Sequence, residues 1–380
     1  MQLVEHVKRS NAWFFRYVKF RLEQRAIREQ KEPTSHSLVR NQWYGVLEAR
    51  KLKDKPVALR RVGSDLVLWR GPSGEIVCMP DRCPHRGSKL SLGSLRDGCI
   101  ECPYHGFLFD DTGACTLIPA NGDGRPAART FDIATWPARE AHGLIWVWWG
   151  ERRAEYPEIP WFEQRADDER HSADKSGIWD FHYARVIENS LDAHHFPFIH
   201  GAINPKIGAV VDPFHAEEDG DIIRVTAGLK RKKTDPDSEA VVFRMAFRPP
   251  NVMHVDLSEK IHLIQVATPV DDESSWMFVR YYQRFIHTPV VGRLFSKALL
   301  AGDWKIAQDM QDIPIFVTQK PRVPGIDLGY KLIQADKGIA LFLKQRKRLL
   351  AEAEREMSRP ASSAETALVE LASSGNGDPR

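Results

Sequence analysis

The stretch that decides the fold contains two short motifs, Cys83-Pro-His85 and Cys102-Pro-Tyr-His105, with sixteen residues between them. Each motif pairs one cysteine with one histidine, and a glycine follows each histidine, Gly87 two residues after His85 and Gly106 directly after His105. Two thiolates and two imidazoles in this order can hold a [2Fe–2S] cluster, with both cysteines on one iron and both histidines on the other. Glycine suits sharp turns because it lacks a Cβ. The stretch therefore predicts two tight loops with a cluster between their tips.

Two other interpretations of these four residues remain open. A structural zinc site also uses two cysteines and two histidines, but zinc fingers place cysteine with cysteine and histidine with histidine. Here both pairs are mixed. A disulfide between Cys83 and Cys102 is the other alternative. The mixed order favours the cluster over both.

The flanking residues extend the two motifs to Asp81-Arg-Cys-Pro-His-Arg-Gly87 and Tyr104-His-Gly-Phe-Leu-Phe-Asp110, with Gly113 after them. With these surroundings the chain resembles the Rieske non-heme iron oxygenases. The resemblance implies that Cys83, His85, Cys102 and His105 bind the Rieske cluster. It also implies that a later domain binds a mononuclear Fe(II) ion.

Composition limits the other classes of function. The 380 residues suffice for two domains, and a net charge of +3 gives no sign of a nucleic-acid partner. No apolar run approaches the length of a membrane span, and basic residues interrupt the N-terminus, which lacks a secretory pattern. Five cysteines make no disulfide framework. We therefore expect a cytoplasmic protein with Cys78, Cys99 and Cys115 reduced.

The sequence predicts an α+β protein with four segments. We expect an N-terminal helix and linker over residues 1–37, an all-β Rieske domain over 38–150, a catalytic domain over 151–357 and a disordered tail over 358–380. The resemblance implies a helix-grip, START-like catalytic domain, in which helices wrap an antiparallel sheet. Residues 151–178 are polar and are expected to connect the domains, so that the second domain begins near Trp179.

Residues 1–32 combine aromatic and basic side chains. Such a helix can contact a membrane surface peripherally or bind a partner. Acidic residues interrupt the basic face, which favours packing on its own protein or on a neighbouring subunit.

Alternating apolar and polar residues predict the strands of the catalytic sheet. These strands are expected at 222–227, 240–247, 253–257, 260–268 and 276–284, with helices at 292–317 and 339–357.

The second candidate metal site begins with His195 and His200, which flank a Phe-Pro-Phe-Ile segment. Two histidines and one carboxylate leave positions of an Fe(II) ion open for O2 and substrate. Such a histidine pair taken alone is more often structural. The family pattern Asn-x-x-Asp-x-x-His-x-x-x-x-His is complete here in Asn189, Asp192, His195 and His200, so the resemblance implies that both histidines bind iron.

The third ligand has three candidates, Asp303, Asp309 and Asp312. The family places its acid before an Ile, a Gln and a Pro, and Asp312-Ile-Pro-Ile315 with Gln319 and Pro321 fits that order. Asp312 is therefore the predicted ligand. Asp309 lies one helical turn earlier, is expected to face the same way, and is the second choice.

Asp192 precedes His195 by three residues, and on a helix the two would share a face, whereas His194 would not. Asp192 can orient His195 by accepting its ring N–H. The resemblance implies more, namely that Asp192 also links His195 to His105 of a neighbouring subunit, which requires a ring of subunits, a homotrimer. A purely orienting role is the alternative.

The resemblance implies the terminal oxygenase of a system with a separate ferredoxin or reductase, since no dinucleotide-binding glycine motif opens a helix. The expected reaction is hydroxylation or demethylation of a small aromatic or alicyclic molecule, with monooxygenation favoured over ring dihydroxylation. A Rieske electron carrier without catalysis is the rival, although residues 189–200 disfavour it. The predicted pocket residues are Phe196, Phe198, Met253, His254 and Tyr282.

Overall fold

A computed structural model describes residues 38–122, 125–162, 172–201, 207–231 and 240–357. The predicted N-terminal helix and C-terminal tail lie outside these ranges. The first part of the described chain consists of short strands in three antiparallel sheets. Its strands are β1 (Gln42–Glu48), β2 (Val57–Arg61), β3 (Ser64–Arg70), β4 (Ile76–Pro80), β5 (Ser94–Arg96), β6 (Cys99–Glu101), β7 (Leu108–Phe109), β8 (Cys115–Leu117), β9 (Ala138–Ala141) and β10 (Leu144–Trp149).

The sheets have the orders β1-β10-β9, β2-β3-β4 and β5-β6-β7-β8. The β4–β5 connection carries Cys83 and His85, and the β6–β7 connection carries Cys102 and His105. Both loops therefore belong to the small sheets of this part of the chain, which fixes the cluster motifs on one rigid unit. This is the strand-rich domain that the sequence predicts.

The second part is built on one seven-stranded antiparallel sheet of order β11-β17-β16-β15-β14-β13-β12. Every neighbouring pair is antiparallel, with register shifts between Val211 and Phe214 and between Asp256 and Ser258. Along each extended strand, successive side chains point to opposite faces of the sheet. The strands are β11 (Ser172–Trp179), β12 (Val210–Asp219), β13 (Ile222–Lys230), β14 (Val241–Arg248), β15 (Val252–Ser258), β16 (Ile261–Pro269) and β17 (Ser275–Gln283).

One face of this sheet packs on the Rieske domain. Ile264, Val266 and Phe278 lie in one buried cluster with Trp146 and Trp148 of β10. The rings of Trp43 and Trp148 meet edge to face at 5.6 Å, a geometry that contributes about 0.5–1.5 kcal/mol beyond burial. The tryptophans that end the first domain thus form its contact with the second.

Helices cover the other face. Residues from these helices share the largest buried cluster with Leu263, Val279 and Tyr281 of the sheet. The helices are α1 (Tyr183–Ser190), α2 (Phe196–Ile199), α3 (Pro289–Gly302), α4 (Ile313–Phe316) and α5 (Lys337–Met357). A π-helical segment, Asp303–Asp312, joins α3 to α4. Single 3₁₀ turns occur at Ala49–Lys51, Leu90–Leu92, Pro119–Asn121, Arg129–Phe131 and Gln334–Asp336.

The α+β class and the antiparallel sheet with helices are confirmed, and the five predicted sheet strands are present within a few residues. The expectation that 151–178 is only a connection was wrong. Its last residues form β11, which pairs with β17 through the whole length of Ser172–Trp179. That edge strand mixes charged and small residues, so it lacks the alternation that marked the others. None of the described helices is long and apolar enough to cross a membrane.

Candidate metal centres and substrate cavity

The two cluster loops have the same backbone hydrogen bonds. In each loop the cysteine N–H donates to the carbonyl of the residue five positions later, and the glycine N–H donates to the cysteine carbonyl, over 2.8–3.0 Å. Gly87 and Gly106 have φ values of +76° and +73°, where a side chain would strain the backbone. Two loops of one shape therefore present their Cys-His pairs to each other.

The cysteines and the histidines of the two loops differ in burial. Cys83 and Cys102 are each 2% exposed, whereas His85 and His105 are exposed, with ring centroids 4.7 Å apart. Burial, together with the neighbouring Cys102 thiol, raises the pKa of Cys83 to about 11. All five cysteines are free thiols, so the disulfide alternative was wrong. The arrangement fits a cluster with an inner iron on the cysteines and an outer iron on the histidines.

The second centre lies where α1 ends and α2 begins. The ring of His182 caps α1 by accepting the Ala184 N–H at 3.2 Å, and α1 stops at Ser190. His195 precedes α2 and His200 follows it. The single helical turn of α2, which contains Pro197, therefore sets the spacing between the two imidazoles. Asp192 and His195 lie on the turn between the helices, not on one helix as their spacing predicts.

Asp312 completes a three-residue cluster with these histidines. Its Oδ1 lies 3.1 Å from His200 Nε2 and 3.8 Å from His195 Nε2, and the three ligand atoms lie within 4.8 Å of one another. Asp312 Oδ1 is buried and has no hydrogen-bond partner. A buried carboxylate oxygen that lacks a partner and faces two imidazole nitrogens fits the two-histidine, one-carboxylate set that binds Fe(II).

A neighbouring amide fixes the orientation of the His200 imidazole. The Nδ1–H of His200 donates to Gln311 Oε1 at 2.8 Å, which leaves Nε2 as the free ligand atom. Although burial opposes it, the Asp312 carboxylate raises the pKa of His200 above its usual value. No sequence signal marks Gln311, because an amide next to an aspartate has no spacing that identifies it as the partner of a distant histidine.

Asp192 lies on the other side of His195. Its Oδ2 is 3.4 Å from His195 Nδ1, and its Oδ1 accepts the His194 N–H at 2.7 Å. Burial would raise the pKa of Asp192, but His195 and the His194 N–H favour the charged form and lower it. His194 is not part of the three-residue cluster, as predicted, and its ring meets that of Phe198 edge to face.

The other two candidate acids do not join the histidines. Asp309 is 37% exposed at its side chain and lies 3.9 Å from Lys305 Nζ. The expectation that it shares a face with Asp312 assumed an α-helix, whereas a π-helix has a wider turn and separates residues three apart. Asp303 begins the π-helical segment and lies on the wall of a cavity.

Two cavities meet at the candidate iron site, and His195 and Asp312 line both. We call the one of about 390 Å³ the substrate cavity. It lies against the helix-covered face of the sheet and is lined by Ser190, Phe196, His200, Phe243, Val255, Leu257, Ile261, Leu263, Gln265, Tyr281, Asp303 and Gln308, among others. We call the one of about 560 Å³ the outer cavity, and its lining includes Arg185, Asp192, His194, Phe198, Ile315, Lys320 and Tyr330.

Only one of the five predicted pocket residues, Phe196, lines the substrate cavity. Phe198 is 64% exposed and lines the outer cavity, because residues two apart on a helix face nearly opposite ways. His254 and Tyr282 lie on the sheet face that packs on the Rieske domain, one residue out of phase with the cavity face. Met253 has the right phase but is fully buried in the core.

The comparisons with known proteins agree with this arrangement of two centres. Residues 42–137 match the family model of the Rieske [2Fe-2S] domain, and residues 179–352 match that of the vanillate O-demethylase oxygenase C-terminal domain. The chain belongs to the Rieske oxygenases, which combine such a cluster domain with a mononuclear non-heme iron site.

The individual relatives are oxygenase components. The chain is 34% identical to the dicamba O-demethylase oxygenase component of Stenotrophomonas maltophilia over 167 residues, which are 44% of this chain and 49% of that protein. It is 31% identical to the vanillate O-demethylase oxygenase subunit of a Pseudomonas species over 166 residues, which are 43% of this chain and 45% of that protein. The matched segments thus span about half the length of these curated relatives.

Solved structures share the fold over most of the chain. Dicamba monooxygenase bound to dicamba aligns with a TM-score of 0.66 at 21% identity, over 85% of this chain and all of that one. The NdmA QL mutant of Pseudomonas putida CBB5 with theobromine aligns with the same TM-score at 25% identity, over 85% of this chain and 93% of that one.

Proposed function

We propose that this chain is the terminal oxygenase of a multicomponent system and hydroxylates or demethylates a small, aromatic or alicyclic molecule. The observation that carries the proposal is the cluster of His195, His200 and Asp312, which borders both the substrate cavity, with its apolar wall, and the separate outer cavity. The substrate cavity can hold the substrate, while the outer cavity exposes Asp192 to a neighbouring electron donor. A Rieske electron carrier without catalysis would need neither.

The iron would be held by the Nε2 atoms of His195 and His200 and by the Asp312 carboxylate. When bound, it would supply the activation of O2. The chain supplies geometry. Gln311 keeps the lone pair of His200 Nε2 free, and Asp192 Oδ2, 3.4 Å from His195 Nδ1, is the nearby carboxylate that can accept the His195 ring N–H. The aromatic rings of Phe196 and Phe243 stack at 4.5 Å and form an apolar wall that excludes water beside the ligands.

Monooxygenation is the favoured outcome. In a demethylation, R–OCH3, O2, two electrons and two protons give R–OH, formaldehyde and water, so one oxygen atom leaves as water. Curated relatives named as O-demethylases, at 34% and 31% identity, support this reaction. A 3-chlorobenzoate-3,4-dioxygenase subunit at 32% identity keeps ring dihydroxylation as the alternative, and a cis-diol product would identify it.

We propose that electrons come from a separate ferredoxin or reductase through the Rieske cluster. The outer cavity exposes Asp192 beside His195, and exposed His105 is suited to reach such a surface on another subunit. His105 of one chain, Asp192 of the next and its His195 would then form the route, and the assembly would be a homotrimer. Five free thiols are consistent with a cytoplasmic enzyme.

Turnover tests the proposal. Iron-loaded protein, a ferredoxin–reductase pair, NADH and a panel of methoxyarenes are assayed for formaldehyde and the matching phenol, with His195→Ala as the control. We expect equimolar formaldehyde and phenol with the wild-type protein and none with the variant. Reduction of the cluster without product from any panel member, and without uncoupled O2 uptake, would instead support an electron carrier.

A further inference from the structure

The substrate cavity has two unlike walls. One wall is apolar, with Phe196 and Phe243 from α2 and β14 and with Val255, Leu257, Ile261 and Leu263 from β15 and β16. The volume of about 390 Å³ is that of a pocket for a small organic molecule. A planar or alicyclic body fits against this wall.

The other wall is polar and centres on a carboxylate. Asp303 accepts hydrogen bonds from the Tyr281 hydroxyl and, at 3.5 Å, from Gln308 Nε2. Gln265, whose Oε1 accepts from the Ser190 hydroxyl at 2.7 Å, continues the same wall. Asp303 is only partly buried, and it lies on the cavity wall, so a molecule in the cavity can touch it.

The charged carboxylate of Asp303 is energetically costly at this partly buried position. A carboxylate has about four acceptor sites, and the two protein donors leave some of them open. Burial, together with the charge of Asp312, raises the pKa of Asp303 to about 6. The described residues that line the cavity include no lysine or arginine. The wall can therefore be completed by a ligand that brings its own hydrogen-bond donor.

We propose that Asp303 recognises a hydrogen-bond-donating end of the substrate, an amine first and a hydroxyl second, while the apolar body lies against Phe196 and Phe243. This inference rests on the proposed function, because it takes the cavity beside the three ligands as the substrate site. A carboxylate at this end of the molecule is disfavoured, because its charge would meet Asp303 and no lysine or arginine of the described wall would balance it. Asp303 is thus a specificity-determining residue, distinct from the three metal ligands.

Three matched probes test the proposal: 4-methoxybenzylamine, 4-methoxybenzyl alcohol and 4-methoxybenzoate, which differ only at the polar end. Dissociation constants are measured by calorimetry on iron-loaded protein without O2 or reductase, so that binding is separate from turnover. We expect the amine to bind at least about tenfold more tightly than the benzoate, since the ammonium donates a charge-assisted hydrogen bond to Asp303 whereas the benzoate carboxylate meets a like charge.

Two variants assign the preference to one residue. Asp303→Asn should weaken amine binding by at least about tenfold and leave the benzyl alcohol within about threefold. Asp309→Asn, on the same π-helical segment but 37% exposed, is the matched control and should change neither. Equal binding of amine and benzoate by the wild type would overturn the proposal, as would an equal loss for all three probes in Asp303→Asn. The wild-type comparison holds even if the variant fails to fold.

Turnover of the same probes separates this inference from the proposed function. If the amine binds more tightly but no probe yields formaldehyde with reductase and O2, the oxygenase proposal fails and the recognition by Asp303 stands. If the benzoate is demethylated as readily as the amine, the oxygenase proposal stands and the recognition by Asp303 fails.

Discussion

Asp312 brings the candidate iron site together. It lies more than a hundred residues after the histidines, and its partnerless Oδ1 is the atom that faces both Nε2 nitrogens. A buried carboxylate oxygen without a partner costs about 1–3 kcal/mol or more, and a bound cation removes that cost. The residue therefore has a clear physical reason to bind metal.

Substitution of this acid tests its role. Asp312→Ala should lower the occupancy of the mononuclear iron by at least about tenfold, because loss of groups that support a metal site already costs about 10–100-fold. Iron content after removal of loosely bound metal is the measurement. Asp309→Ala is the control and should retain the iron. Loss of iron from Asp309→Ala alone would contradict the assignment.

Residues that are close in sequence were predictable, and residues brought together by the fold were only partly so. The spacing of Asp192, His195 and His200 is local and can be read directly. Asp312 was chosen over Asp309 only through a resemblance. Gln311, Tyr281 and Asp303 act through contacts across the fold, and no spacing marks them as parts of one site.

The π-helical segment Asp303–Asp312 is the element that sets the candidate site, since it carries both the carboxylate on the cavity wall and the proposed third ligand, Asp312. Its wide turn is rare and recurs at functional sites. The sequence predicts a continuous helix here because acidic and apolar residues recur at helical spacing, and nothing in that pattern marks a π-helical turn. The structure thus supplies the reason that Asp303 and Asp312 serve one site while Asp309 does not.

Close packing should hold this segment in place. A Cβ added at Gly177 of β11 would lie 2.8 Å from Trp304 Cζ2, so Gly177→Ala should destabilise the protein by about 1–3 kcal/mol. Gly302 has helical backbone angles and open space around its Cβ position, and Gly302→Ala should instead stabilise by about 0.5–1 kcal/mol. Thermal unfolding followed by circular dichroism distinguishes them. Equal melting temperatures for the two variants would contradict this packing.

The sheet shows why pocket residues were hard to predict. Adjacent residues of a strand face opposite sides, so a shift of one position moves a side chain from the substrate cavity to the domain contact. Tyr281 lines the cavity, and Tyr282 packs toward the Rieske domain. Nearly all residues of β16 and β17 are buried on both faces, so the sequence pattern of these two strands does not say which face lines the cavity.

At the scale of the whole molecule, the proposed function requires electrons to pass from the cluster domain to the iron domain. Asp192→Asn keeps the size of the side chain but removes the charge beside His195. We expect both metals to remain and the oxidation of the reduced cluster by O2, in the presence of substrate, to slow by about 10–100-fold. Stopped-flow absorbance of the cluster measures this rate. An unchanged rate would show that electron transfer does not need the Asp192 charge, and Asp192 would at most orient His195.

Iron per chain is the measurement that tests the account most directly. Metal analysis of fully reconstituted protein, combined with the visible spectrum of the cluster, should give three irons per wild-type chain and two in His195→Ala, with the same cluster spectrum in both. Two irons in the wild-type chain, or loss of the cluster spectrum in His195→Ala, would contradict the account of two separate metal centres.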